Sequence, residues 1–231
     1  MRILITGANR GIGLEFTRQY LARGERLFAT CRNPQDATDL LVLSEQQPDR
    51  LTVLPLDVTD QPSIDLAHRQ VQRQTDGLDV LINNAGIYVE GERPGRIDRE
   101  AFRLTLEVNT IGPLMVTQAF LDLLEAGHQP RVVHLSSRMG SIGKKKGGGD
   151  YSYSASKAAL NMLARLLALD LRSKGIIVVA LHPGWVKTDM GGPGATLDVS
   201  EAVQSMIDVI DGLTAADSGR FLQWDGGELP W

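Results

Sequence analysis

The chain of 231 residues contains one cysteine, Cys31, so an internal disulfide framework is excluded and a reducing compartment is expected. It has no apolar run near the ~20 residues that a membrane span requires. Basic residues (24) are outnumbered by acidic ones (28), and the net charge of −4 argues against a surface built for nucleic acid or anionic lipid. The four histidines, His68, His128, His134 and His182, are scattered without metal-ligand spacing, so no metal site is expected. A Gly-x-Ser-x-Gly elbow is also missing, which leaves serine hydrolysis without support. Met1–Thr6 reads as a strand that runs straight into a glycine-rich turn, too short for a signal peptide. Together these absences leave a soluble, cytoplasmic protein as the expectation.

What is present is an alternation of short apolar runs with longer helical patterns. Residues 3–5, 27–29, 51–54, 80–82, 131–135, 176–181 and 220–224 read as strands. Most are hydrophobic almost throughout, as parallel strands covered on both faces are. Helices are expected at 11–23, 34–46, 61–75, 98–111, 113–126, 153–173 and 200–212, with Pro113, Gly127 and Gly175 as their punctuation. Such alternation predicts an α/β fold, a single Rossmann-type doubly wound parallel sheet with helices on both faces. No linker, repeat or charge block divides the chain, so residues 1–231 are expected to form one dinucleotide-binding and catalytic domain. Lys144–Gly149 is the one low-complexity patch and reads as a mobile surface loop.

Two motifs carry chemistry. Tyr153 and Lys157 stand at i and i+4, on one face of the predicted helix. A free phenol titrates near ~10, so bringing it to neutrality needs about 4 kcal/mol of preferential phenolate stabilisation. A neighbouring cation supplies this kind of stabilisation and makes Tyr153 a candidate general acid/base. The second motif is Thr6–Gly13, with Gly7, Gly11 and Gly13 between the first strand and first helix and Asn9, Arg10 and Ile12 among them. Glycines there allow a backbone to approach a pyrophosphate at a helix N-terminus, although the Gly-x-x-x-Gly-x-Gly spacing also suits a structural turn. After the second strand no carboxylate occurs before Asp36, whereas Arg32 does, and Arg10 lies in the glycine turn. Both arginines suit a ribose 2′-phosphate, so NADP(H) is expected to be preferred over NAD(H).

With these motifs in place the chain resembles a short-chain dehydrogenase/reductase over nearly its whole length. The matching pieces are the glycine turn, Leu56-Asp57-Val58, Asn83-Asn84-Ala85-Gly86, Asn109, Ser136-Ser137, Tyr153-x-x-x-Lys157 and Pro183-Gly184 followed by Thr188. The stretches 137–141 and 182–190, which include Val186, are most similar to the C-factor and sniffer-like carbonyl reductase group. The resemblance implies that Asp57 contacts the adenine, and that Asn83, Ala85 and Gly86 support the adenosine ribose and central strand. It also implies that Asn109 holds a water in a proton relay to Lys157, and that Ser137 binds the substrate oxygen. Tyr153 would then transfer the proton, Lys157 hold the nicotinamide ribose, and Thr188 with Pro183-Gly184 flank the nicotinamide. On position alone several of these have simpler uses: Asp57 as a turn former, Asn83-Asn84 likewise, Asn109 as a helix end before Gly112-Pro113, Ser137 as a cap.

Two departures stand out. The interval from Ser137 to Tyr153 is lengthened by the Lys144–Gly149 insertion, and Tyr151 is a second tyrosine whose i+4 residue is Ala155, not lysine. The implied activity is NADP-dependent interconversion of a carbonyl and an alcohol, with a small-molecule substrate. Its pocket draws on residues 87–97, 138–151 and those after Met190. Apolar stripes on the helices at 113–126 and 153–173 are core, and in similar proteins also an interface, so a homodimer or homotetramer is expected. A cofactor-binding regulator with little turnover, and a nucleotide-dependent methyltransferase, are the alternative classes.

Overall fold

The computed structural model describes residues 1–231. Seven strands form one parallel sheet: β1 (Arg2–Thr6), β2 (Arg26–Cys31), β3 (Leu51–Pro55), β4 (Val80–Asn83), β5 (Arg131–Leu135), β6 (Ile177–His182) and β7 (Phe221–Gln223). Their order is β3-β2-β1-β4-β5-β6-β7. Ile3 lies in register with Leu27 on one side and Val80 on the other. Chain direction across the sheet therefore reverses between β1 and β4. That reversal opens a crevice beyond the carboxyl ends of the two strands.

Strand periodicity of two assigns alternate residues to opposite helical layers. Ile3, Ile5, Val133, Leu135, Val179 and Leu181 enter one core. There they meet Phe16 and Tyr20 of α1 (Gly11–Ala22), Leu40 of α2 (Thr38–Gln46), and Met206 and Ile207 of α8 (Val199–Gly212). Leu4, Leu81, Val132, Val178 and Ala180 enter the other. Facing them are Ile64 and Val71 of α3 (Gln61–Gln72), Val116 of α5 (Gly112–Ala119), Leu123 and Leu124 of α6 (Leu121–Glu125), and Ala164 and Ala168 of α7 (Tyr151–Asp170). Helices cover both faces, as the sequence leads one to expect.

Three local differences have physical causes. The helix expected at 34–46 is broken: Pro34–Asp36 is a single 3₁₀ turn, and Ala37, at φ −90° and ψ 63°, interrupts it before α2. Between α4 (Arg99–Leu106) and α5 the chain does not stop but makes a π-helical turn, Glu107–Ile111. Gly112 continues the helix, and a Cβ on it would lie 2.9 Å from Val58, so its smallness serves close packing and not a helix end. Finally α7 begins at Tyr151, two residues before the expected start.

Candidate active site

The glycine turn is held by β4. Asn84 Nδ2 donates to the carbonyls of Thr6 and Gly7, both at 2.8 Å, while Thr6 Oγ1 accepts from the amides of Asn84 (3.0 Å) and Ala85 (3.1 Å). Gly7 has φ +65°, and a Cβ on it would stand 2.9 Å from Ala85 Cα. A Cβ on Gly13 would come within 2.4 Å of the Gly7 carbonyl oxygen. The backbone thus closes on itself in a way only glycine permits. Arg10 at the N-cap of α1 makes no side-chain cap bond, and the first turn has no acidic residue. The first amides of α1 are therefore available to an anion.

A cleft of about 680 Å³ extends from this turn along the carboxyl edge of the sheet. Gly7, Asn9, Arg10, Gly11 and Ile12 line one end; Arg32, Asp57 and Val58 the flank beyond β2 and β3; Ala85 and Gly86 the centre. Tyr153 and Lys157 line it from α7, and Pro183 and Thr188 from the segment after β6. Arg32 is exposed and makes no side-chain ion pair. Arg10, by contrast, pairs with Asp189 at 2.7 Å across the cleft mouth. Of the carboxylates beside Arg32, Asp39 is held by Arg18 at 2.9 Å, and Asp36 also reaches the wall. Asp57 Oδ1 accepts from the amide (2.9 Å) and hydroxyl (2.7 Å) of Thr59, which fixes its turn and leaves it on the wall.

The opposite end holds the titratable groups. Lys157 is buried, and its Nζ donates to the Leu135 carbonyl at 2.8 Å and lies 5.6 Å from the centre of the Tyr153 ring. The turn Arg138–Gly140 packs directly on α7: a Cβ on Gly140 would sit 2.6 Å from the Lys157 carbonyl carbon. Ser137 precedes that turn and its hydroxyl accepts from the Met139 amide at 3.1 Å. Burial raises the Tyr153 phenol above its ordinary value, and the Ser137 hydroxyl pulls it down. Burial also lowers Lys157 to about 8. The expectation of a phenol acidified by its lysine neighbour is thus corrected. Desolvation is the larger effect, and Ser137 is the group that opposes it.

Asn109 stands in the π turn, not at a helix end. Its Oδ1 accepts from the Ile87 amide and its Nδ2 donates to the Ile87 carbonyl, both at 2.8 Å, with a further bond to Ser156 Oγ at 3.1 Å. It ties the 84–98 loop to α7, and a Cβ on Gly86 would be 3.3 Å from its Oδ1 and 3.8 Å from Lys157 Nζ. Tyr88, from the same loop, meets the Tyr153 ring edge to face at 5.1 Å and donates to Asp150 at 2.7 Å. Tyr151 is exposed and does not line the cleft.

Several expected residues lie behind the wall. Asn83 is buried and donates to Thr117 Oγ1 (3.1 Å) and His134 Nδ1 (3.3 Å). As the last residue of β4 it shares a face with Leu81, which turns it toward α5 and away from the crevice. Asn84, the neighbour that grips the glycine turn, is the residue that sequence reasoning undervalued; the period-two rule applied to β4 distinguishes the two. Gly13 supports the turn from beneath. Gly184, at φ +86°, would place a Cβ 2.3 Å from Leu197, and Val186 is buried in a bridge with Leu197. These two shape the segment that carries Pro183 and Thr188 to the cleft. Met190, Leu104 and Val108 join the wall, although no motif marks them as site residues.

The family model described as short chain dehydrogenase matches residues 1–196. The C-signal protein of Myxococcus xanthus is 49% identical over 157 residues, which cover 68% of this chain and 95% of that protein. Among solved structures, NADPH-bound carbonyl reductase from chicken fatty liver is 41% identical with a TM-score of 0.94, covering 100% of this chain and 98% of that one. Carbonyl reductase Sniffer of D. melanogaster is 35% identical with a TM-score of 0.96, covering 100% and 99%. The resemblance read from the motifs is borne out, and the chain belongs to the short-chain dehydrogenase/reductase family of oxidoreductases.

Proposed function

We propose that the chain catalyses NADP(H)-dependent interconversion of a carbonyl and an alcohol, with residues 1–231 acting as one domain. The observation that carries this reading is a single cleft with a glycine-clamped helix N-terminus at one end and Tyr153 and Lys157 at the other, with the buried Ser137 hydroxyl against the Tyr153 phenol. The residues fit a dinucleotide: the first amides of α1 receive the pyrophosphate, and the clashes that a Cβ at Gly7 or Gly13 would make mark a cradle that backbone alone can form. In this reading Arg32 would bind the 2′-phosphate, joined by Arg10 on its release from Asp189, while Asp57 and Val58 would meet the adenine and Ala85 and Gly86 the ribose beside it. Pro183 and Thr188 border the nicotinamide end. When bound, the nicotinamide supplies or accepts the hydride.

The protein's own residues manage the proton. Ser137 donates a hydrogen bond to the carbonyl oxygen, and Tyr153 transfers its phenolic proton to that oxygen as charge develops. Burial keeps the Tyr153 phenol in the protonated form that the reductive direction requires, and the Ser137 hydroxyl opposes the loss of acidity that burial brings. Lys157 would supply a cation at the site and a hydrogen bond to the nicotinamide ribose. Asn109 keeps the 84–98 loop and the π turn against α7, at the start of the relay to Lys157.

The lone, buried and unpaired Cys31 supports a cytoplasmic location. No helix is long and apolar enough to cross a membrane. A second reading, a cofactor-binding regulator with little turnover, is favoured by the likeness to C-signal. NADPH consumption, followed by absorbance against a panel of aldehydes, ketones and quinones, separates the two. Turnover of at least one carbonyl class supports the reductase; tight NADPH binding with no consumption across the panel supports the regulator.

A further inference from the structure

Between β5 and α7 the chain gathers four cations that lack a counter-charge. Arg138, Lys144, Lys145 and Lys146 border a second cleft of about 230 Å³, together with Met139 and the glycines after Lys146. None of the four lies within ion-pair distance of a carboxylate. Other cations of the protein, Arg32 among them, are also unpaired, and what sets these four apart is that they share one cleft. The neighbouring carboxylates are already engaged: Asp150 accepts the Tyr88 hydroxyl, and Glu92 accepts the Ser152 amide.

The loop is also anchored. Ser141 Oγ donates to the Pro230 carbonyl at 2.6 Å, the Gly143 amide donates to the Trp231 carbonyl at 3.0 Å, and Lys145 Nζ donates to Ser154 Oγ at 2.9 Å. These bonds hold the cations on the segment that joins Ser137 to the start of α7. Arg138 comes directly after Ser137, and Ser154 directly after Tyr153. A single exposed ion pair contributes little, but several cations converging on one cleft focus an anion there and raise its encounter rate.

We propose that this cleft is an anion subsite for the substrate, and that the substrate class is carbonyl compounds bearing a carboxylate several bonds from the reacting carbon. Met139 offers an apolar contact for the connecting chain. The proposal rests on the reductase reading given above, and the experiment separates the two. A homologous series of ω-oxo-carboxylates is compared with the corresponding methyl esters, using NADPH, in the wild type and in Lys144→Gln/Lys145→Gln/Lys146→Gln. In the wild type at least one acid should exceed its ester by roughly tenfold in kcat/KM, more at low salt than at high. That ratio should collapse toward parity in the glutamine variant and persist when the three lysines are changed to arginine. Esters that match or exceed every acid in the wild type, or a preference retained by the glutamine variant, would overturn the proposal. If no member of the series is reduced, the reductase reading is what fails for these compounds. Calorimetry with the matching dicarboxylates on NADP-loaded protein then decides the subsite. Binding in the wild type that the glutamine variant loses upholds it, and absence of binding overturns it.

Discussion

At the scale of single residues, the proposed preference for NADP(H) rests on two arginines in unlike states. Arg32 stands on the cleft wall with no ion-pair partner, whereas Arg10 is occupied by Asp189. A charge-assisted bond from Arg32 to a 2′-phosphate implies that Arg32→Ala raises the NADPH Kd by roughly tenfold or more and leaves NADH binding nearly unchanged. Fluorescence titration of both cofactors at fixed salt checks this; equal losses for the two would remove the 2′-phosphate from Arg32. Arg32 was legible in the sequence because the second strand is short and its carboxyl end fixes where the adjoining residues stand. The partner of Arg10 was not, because Asp189 is 179 positions away and only the closed fold brings the two together. The Tyr153–Lys157 pairing was legible from helical spacing, but the balance of forces on the phenol was not. Burial, which raises it, is a property of the packed site and not of the i, i+4 relation.

At the scale of elements, the placement of α7 decides whether Tyr153 faces the cleft. Asp150, in the left-handed region at φ 50°, makes no side-chain cap. Glu92 anchors the helix instead, from the 84–98 loop: its buried carboxylate accepts from the Ser152 amide at 2.7 Å, at the positive end of a 20-residue helix. Glu92→Gln weakens that charge-assisted bond, so unfolding by urea should show a loss of about 1–2 kcal/mol, with turnover reduced as the helix start loosens. An unchanged midpoint and unchanged kcat would show that α7 needs no such anchor. Sequence patterns alone start this helix at 153 because the anchor lies 60 residues earlier. The alternation of strands and helices was readable because buried strands repeat every two residues and helices every 3.6. The π turn at Glu107–Ile111 was not, since its residues satisfy an ordinary helical pattern and only the bonds of Asn109 to Ile87 and Ser156 reveal its use.

At the scale of the whole molecule, a buried imidazole ties stability to pH. His134 sits wholly inside the sheet with Nε2 unpartnered, and burial, then Lys157, lowers it to about 3 from an ordinary 6.5. Between those values the unfolded chain binds more protons than the folded one, so stability rises with pH across this window and is lost as pH falls below 6.5. From neutrality to about pH 5 this one group costs about 2 kcal/mol. His182, lowered by burial to about 4, acts in the same window. Urea unfolding at both pH values should therefore show at least that difference, and His134→Asn should shrink it; an equal acid sensitivity in the variant would move the cause elsewhere. Leu104, Ile111, Met162, Leu166 and Leu169 are exposed apolar residues on the helices from α4 to α7. Light scattering at micromolar concentration is expected to show a homodimer or homotetramer, and a monomer alone would refute that expectation. The central claim joins the two ends of one cleft: the glycine turn holds the nucleotide, and Tyr153 moves the proton. Its most direct test is Tyr153→Phe, assayed for both carbonyl reduction and NADPH binding. The account predicts a fall in kcat of roughly a hundredfold to ten-thousandfold with the NADPH Kd little changed; a variant that keeps most of its turnover would contradict it.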